Sequence, residues 1–200
     1  MTIYTKSGDS GTCSLYSGER VLKCNDRIHS IGEIDELNSS LGVLKAILSS
    51  ENEGLVDEIE QIQRDLFDIG AWLGTSPNSP SLLKLDEIHD RRVESLEHAI
   101  DKMQEELPNL KNFVLPGGHI ISAHIHMARA ICRRAERRTV CLSEEIGIGN
   151  PPKRLKKIIT YLNRLSDYLF IFGIYCNKKL GVTECFWNKT GVVKGSNIKG

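Results

Sequence analysis

Apolar residues recur at Ile34, Leu37, Leu41, Leu44 and Leu48, and again at Leu55, Ile59, Ile62, Leu66, Ile69 and Leu73. Spacings that alternate between three and four residues place each set on one face of an amphipathic α-helix. The stretch from Gly74 to Leu82, with Pro77 and Pro80, breaks the pattern. It resumes at Val93, Leu96, Ile100, Met103 and Leu107 for a third helix that Pro108 ends. Pro116-Gly117-Gly118 marks the turn into a fourth helix, with Ile121, Ile125, Ala128, Cys132 and Ala135 facing inward. After an interruption from Gly147 to Pro152, a fifth helix carries Leu155, Ile158, Leu162, Leu165, Leu169 and Phe172 on one stripe. The same spacing in all five favours shallow positive crossing angles. The predicted fold is therefore all-α: a five-helix, left-handed, mostly antiparallel bundle.

The first 28 residues break with this pattern, being rich in Gly, Ser and Thr with no sustained period. The chain reads as one domain over 1–200, with an ordered N-terminal loop over 1–28, a helical bundle over 29–180 and a tail over 181–200. The tail mixes aromatics, Gly and Lys and has room for a short extended piece, but no element in it is assignable from pattern.

Composition adds limits more than identity. With 200 residues, 40% of them hydrophobic, one sizeable core is the expectation. The 26 basic and 26 acidic residues cancel, so no general attraction to nucleic acid or to an anionic membrane is expected, and an anion site must arise from local clustering. The N-terminus lacks the apolar core of a signal peptide. The longest apolar stretch, around Tyr168 to Cys176, is far shorter than the roughly 18 residues of a membrane span. A soluble protein is expected, in the cytoplasm or, for a eukaryotic source, the mitochondrial matrix. Cys13, Cys24, Cys132, Cys141, Cys176 and Cys185 form no C-x-x-C pair, which reads as reduced thiols. The histidines form no H-E-x-x-H or paired Glu-x-x-His pattern, so no protein-bound transition metal is expected and a ferritin-like metal bundle is disfavoured.

Two segments carry candidate chemistry. Between Thr5 and Gly18 the sequence TKSGDSGTCSLYSG supplies three glycines and six Ser or Thr hydroxyls, with Lys6 inside it and Arg20 and Lys23 just beyond. Glycines let backbone N–H groups converge on an oxyanion, hydroxyls donate to it, and lysines add charge. The loop is neither a Walker A sequence nor G-x-G-x-x-G, and a solvated N-terminal arm would share its composition. In the fourth helix, Arg129, Arg133 and Arg137 stand at i, i+4 and i+8. Like charges at that spacing repel by roughly 0.2–0.5 kcal/mol per pair unless an anion or carboxylate compensates. Glu136 can pair with Arg133 but cannot neutralise the stripe. The planar guanidinium fork suits phosphate, and a triphosphate is the natural guest. Helix five adds Asn163, Ser166 and Asp167, which serve equally well as interhelical hydrogen-bond groups or as ligand contacts. In helix one, Asp35 and Glu36 lie near the apolar seam and call for a cationic partner, for which Arg129 is a candidate.

Four motifs in register, IYTKSGDSGTCSLYSGER, IGEIDELNSSLG, FVLPGGHIISAHIHMARAICRRAER and YLNRLSDYLF, closely resemble the PduO-type ATP:cob(I)alamin adenosyltransferases over about residues 3 to 178. The resemblance implies a homotrimer with active sites between adjacent subunits, ATP as co-substrate with Mg²⁺, and cobalamin as substrate. It assigns ATP to Thr5, Lys6, Ser7, Gly8, Cys13, Ser14 and Lys23 of the loop, to Arg133, Arg134, Glu136 and Arg137 of helix four, and to Asn163 of helix five. It makes Asp35 the acid that bridges to a neighbouring subunit's arginine, which maps to Arg129. It makes Phe113 the aromatic beneath the corrin that helps expel the lower axial ligand. Ser7 and Cys13 stand where the family usually has Thr or Ser, and Ser10 replaces a frequent Lys. The link from the arginine motif to Asn163 is longer than in many relatives, with residues 147–152 as its extra loop. The implied reaction gives adenosylcobalamin and triphosphate, with possible delivery of the product to an adenosylcobalamin-dependent enzyme. The alternative is a corrinoid carrier or ATP-sensing module that keeps the pocket without the chemistry.

Overall fold

The computed structural model describes residues 3–48, 53–110, 112–146, 153–188 and 191–194. Five α-helices follow the predicted order: α1 (Asp26–Ile47), α2 (Glu53–Leu73), α3 (Asp90–Glu105), α4 (Ile120–Ile146) and α5 (Lys153–Lys179). A short 3-10 turn, Pro80–Lys84, sits in the link between α2 and α3. The extra loop expected at 147–152 lies outside the described residues.

The polar contacts give the helix directions. Asn38 and Gln63 exchange side-chain to backbone hydrogen bonds at 3.3 and 3.1 Å, and Lys45 pairs with Glu60, so α1 and α2 run antiparallel. Ser30 donates to the Arg138 carbonyl at 3.3 Å while Arg134 pairs with Glu33 and Glu36, which makes α1 and α4 antiparallel. Cys132 donates to the Leu162 carbonyl, and His126 lies beside Phe170 and Gly173, so α4 and α5 are also antiparallel. By contrast, Asp90–Lys157, Glu97–Arg164 and Glu106–Lys179 set α3 parallel to α5. The bundle thus runs up, down, up, down, up.

The apolar stripes meet in one core of fully buried side chains that includes Leu37, Leu41, Leu66, Ile69, Ile125, Leu165 and Phe172. A polar node is embedded in it. Buried Asp65 accepts from the Tyr161 hydroxyl at 2.9 Å and from Gln61 at 3.0 Å, with Arg92 at 3.4 Å, so α2, α3 and α5 are joined through one satisfied carboxylate. Among the described residues no helix is long and apolar enough to cross a membrane.

Two small hairpins cap opposite ends of this bundle. The N-terminal segment, expected as a loop, contains antiparallel strands β1 (Thr12–Ser14) and β2 (Arg20–Leu22), in the register Cys13 opposite Val21. It docks where α2 ends: Tyr16 N donates to the Gly74 carbonyl at 2.8 Å, and Ser76 N donates to Ser17 Oγ at 3.1 Å. Arg27, in the first turn of α1, donates to the Leu73 and Thr75 carbonyls at 2.9 Å, satisfying acceptors that the end of α2 leaves open. The tail forms β3 (Cys185–Asn188) and β4 (Gly191–Lys194) at the other end, where α5 ends and α4 begins.

Candidate functional site

The N-terminal loop is held by its own backbone and by Arg20. That guanidinium donates to the Ser7 and Thr12 carbonyls and to the Thr12 and Ser14 hydroxyls, so it scaffolds the loop as well as charging it. Thr5 Oγ1 and Ser7 Oγ lie 2.7 Å apart. Lys23 N donates to the Gly11 carbonyl at 2.9 Å, and a Cβ placed on Gly8 would lie 3.2 Å from Lys23 Nζ, so an ammonium sits directly over the glycine turn. Lys6 adopts φ 58, the left-handed region, at a cost of about 1–2 kcal/mol for a residue with a Cβ. Thr5, Lys6, Ser7, Ser14 and Lys23 are exposed, and Gly8 and Cys13 half-buried. The loop offers hydroxyls, a converging lysine and a strained turn to solvent, a combination suited to an anion.

On α4 the arginine motif divides by direction. Arg134 turns toward α1, where Glu36 and Glu33 hold its guanidinium and push its pKa above the ordinary value. Glu136 turns toward α5, where Asn163 donates to it at 3.0 Å. Arg133 and Arg137 lie between these flanks with exposed side chains and, among the described residues, no ion pair; Arg137 donates only to the Arg133 carbonyl, at 3.1 Å. Two guanidinia with no carboxylate partner among the described residues are thus framed by two pinned neighbours.

Within one chain, Glu36 finds a different cation from Arg129, the candidate its sequence position suggested. Glu36 and Glu33 take Arg134, whereas Asp35 is exposed with no ion pair among the described residues. Arg129 faces α5 instead, 5.9 Å from the Phe170 ring centroid. Its Nε is buried without a hydrogen-bond partner, and burial and then the Arg133 charge pull its pKa down. Both ring nitrogens of His126, one turn away, are also buried without a partner, and burial first, then Arg129, lowers that pKa. Asp167 pairs with Arg164 at 3.0 Å, and Ser166 donates to the Asn163 carbonyl within α5, so both serve the helix itself.

Phe113 stands in the linker between α3 and α4 with 80% of its surface exposed. It attaches at the end of the bundle opposite the N-terminal hairpin, and α4 between them is about 40 Å long for its 27 residues at ~1.5 Å each. Trp187 N donates to the Phe113 carbonyl at 2.8 Å, and Val114 bridges Phe186. Trp187 is itself half exposed on the same strand. The sequence pattern missed this strand and the buried Asn177 beneath it. The only signals were the Gly181 that follows Lys178 and Lys179, as after a helix C-terminus, and the Pro-Gly-Gly turn it faces.

Comparison with known proteins places the chain in a family. Residues 3–176 match the family model of cobalamin adenosyltransferases. The chain is 39% identical over 197 residues to the corrinoid adenosyltransferase of Bacillus subtilis, covering 96% of this chain and 95% of that protein. It is 38% identical over 192 residues to the mouse corrinoid adenosyltransferase MMAB, covering 95% and 78% respectively. A solved variant of a PduO-type ATP:corrinoid adenosyltransferase from Lactobacillus reuteri, complexed with cobalamin and ATP, superposes with a TM-score of 0.84 at 32% identity, covering 94% of this chain and all of that one.

Proposed function

The chain belongs to the cobalamin adenosyltransferase family, and on that premise we propose that it transfers the 5′-deoxyadenosyl group of ATP to the cobalt of cob(I)alamin. The observation that carries the site assignment is the pair of unpaired, exposed guanidinia of Arg133 and Arg137 between pinned Arg134 and Glu136. They answer the need of a triphosphate for forked, positively charged donors. Lys6, Ser7, Gly8 and Lys23, with Thr5, Cys13 and Ser14, supply the loop side of the grip.

The cobalt of cob(I)alamin attacks C5′ of ATP in line. A Co–C bond forms, the C5′–O bond breaks, and triphosphate leaves with the electron pair. The nucleophile belongs to the substrate, so no catalytic base is required of the protein. Its work is positioning and stabilising negative charge on the departing oxygen. Phe113 takes the lower face of the corrin, displaces the lower ligand and thereby eases reduction of cob(II)alamin. Mg²⁺ would enter with ATP, chiefly on phosphate oxygens. Among the described residues no three His, Cys, Asp or Glu side chains gather as a metal cage.

Phe113 and the N-terminal loop attach at opposite ends of one bundle, which supports a site shared between copies of the chain, in a homotrimer. Two unmet charges support the same reading: Asp35 exposed on α1 and the Arg129 Nε buried without a partner. An Asp35 from one copy reaching Arg129 of the next would satisfy both. Sedimentation equilibrium tests the assembly, and a monomer at active concentrations would refute it. Location in the cytoplasm, or in the mitochondrial matrix of a eukaryote, fits six cysteines free of disulfides, and the product would pass to an enzyme that uses adenosylcobalamin.

The direct test mixes protein, ATP and chemically reduced cobalamin and measures adenosylcobalamin and triphosphate in equal amounts, with Arg133→Ala in parallel. Tight binding of both substrates without product would make the chain a carrier. Equal turnover by Arg133→Ala would move the triphosphate site elsewhere.

A further inference from the structure

With 80% of its surface exposed, the Phe113 ring is not held by packing within the chain. Its backbone is held instead. Trp187 N donates to the Phe113 carbonyl and Leu115 N donates to the Cys185 carbonyl, both at 2.8 Å, so the linker lies as an added strand against β3. One buried side chain ties β3 and the linker to the bundle. Asn177, in the last turn of α5, has no exposed surface. Its Oδ1 accepts from His119 N at 2.9 Å, and its Nδ2 donates to the Gly117 carbonyl at 3.1 Å and to Glu184 Oε1 at 2.9 Å. One donor and two acceptors around it fix the orientation of the carboxamide.

The backbone of Asn177 adds a second tie. Its carbonyl accepts from Val182 N at 2.8 Å while Gly181 N donates to the Lys178 carbonyl at 3.1 Å, a Schellman closure around Gly181 at φ 70. Gly118 closes the arrangement from the linker side: at φ 95 a Cβ there would stand 2.4 Å from both Oδ1 and Nδ2 of Asn177. The linker, the start of α4, the end of α5 and the lead into β3 therefore converge on one amide.

We propose that Asn177 is the positioning residue for Phe113, its carboxamide locking the linker that carries the ring to the strand that hydrogen-bonds it. The inference rests on the role assigned to Phe113 above. Asn177 touches no substrate; it acts through the geometry it imposes on residues 113–119 and 182–187.

The test uses Asn177→Asp, which keeps the shape but sets an acceptor against the Gly117 carbonyl and the Glu184 carboxylate. Cob(II)alamin is added with ATP, and the fraction that becomes four-coordinate is read by electron paramagnetic resonance, alongside KM for ATP and the thermal midpoint. Asn177→Asp should lower the four-coordinate fraction at least fivefold and leave KM for ATP within twofold. Asn177→Asp with Glu184→Gln, in which the new amide donates to the new carboxylate, should recover part of that fraction. A wild-type fraction in Asn177→Asp, no recovery in the double variant, or an equal loss of ATP affinity overturns the proposal. Phe113→Ala run beside them separates the two layers. If it abolishes the four-coordinate form while Asn177→Asp keeps the wild-type fraction, the role of Phe113 stands and that of Asn177 falls. If it changes nothing, the role of Phe113 itself fails. Should Asn177→Asp not fold, Glu184→Ala, at a half-buried position, cuts the hairpin tie alone; a twofold loss is expected, and no loss overturns the proposal.

Discussion

The two capped ends of the bundle solve the same problem, holding an exposed segment in place, by different means. The N-terminal loop is pinned largely by neighbours in sequence: Arg20 reaches carbonyls and hydroxyls between Ser7 and Ser14, and β1 pairs with β2 six to ten residues away. The Phe113 linker is pinned by residues about 60 to 75 positions later, through Asn177, Cys185 and Trp187. One end presents hydroxyls and ammonium groups, the other an exposed aromatic pair, Phe113 and Trp187. A polar loop can be ordered locally because its own donors and acceptors satisfy one another. An exposed apolar ring has no such local partner and must be placed by distant chain.

The largest effect expected of that contrast is functional. Phe113→Ala should lower turnover from cob(II)alamin with an added one-electron reductant at least tenfold, about 1.4 kcal/mol in the barrier, while KM for ATP stays near wild type. Lys6→Ala should do the reverse, raising KM for ATP several-fold with little change in the cob(II)alamin coordination state. Steady-state kinetics with each substrate varied would break the comparison if either variant moved both constants equally.

Stability should show the same asymmetry. Gly118 and Gly18 have nearly equal positive φ, 95 and 96, but a Cβ on Gly118 meets Asn177 whereas one on Gly18 meets nothing within 4 Å. Gly18→Ala should cost about 1–2 kcal/mol from backbone strain alone. Gly118→Ala adds a collision with a buried side chain and should cost about 3 kcal/mol or more. Urea midpoints measure both, and equal losses would show that the linker yields more readily than its hydrogen bonds imply.

A smaller effect distinguishes the arginines between the two ends. Arg134, partly exposed and paired with Glu33 and Glu36, should cost about 0.5–1 kcal/mol of stability when changed to Ala. Its effect on KM for ATP should be smaller than that of Arg133→Ala. A KM change as large as that of Arg133→Ala would mean that Arg134 leaves the α1 acids when nucleotide binds.

The smallest effect concerns pH. Burial, then Arg129, lowers the pKa of His126 below its ordinary 6.5 in the folded state. The unfolded chain therefore takes up the proton first as pH falls, and the stabilising contribution of the neutral ring, present above about 6.5, is lost below it. The difference in thermal midpoint between wild type and His126→Leu should shift against the wild type between pH 7.5 and 5.5. A shift in the opposite direction would mean that the ring finds a carboxylate partner.

The helices were legible because each apolar stripe repeats within 15 to 20 residues, and all five appear where Ile34, Leu66, Leu96, Ile125 and Leu165 place them. The clustering of glycines, hydroxyls and like charges was legible for the same reason, because it is local. Pairing across helices was not. Glu36 and Arg134 lie nearly a hundred residues apart, and helical period alone does not tell which of several arginines on α4 turns toward α1. The tail was the least readable part, because strands of four residues have too few positions to display an alternation.

Residues and their spacing by themselves determined that this chain forms a five-helix bundle with a glycine- and hydroxyl-rich loop and a basic stripe, because hydrophobic periodicity and charge clustering are local properties. Tertiary structure alone decided which arginines are pinned and which are free, that the loop and Phe113 attach at opposite ends, and that Asn177 gathers the linker, α4 and β3. Those outcomes depend on the rotation of each helix against its neighbours and on hydrogen-bond partners about 60 or more residues apart, which packing the whole core settles at once.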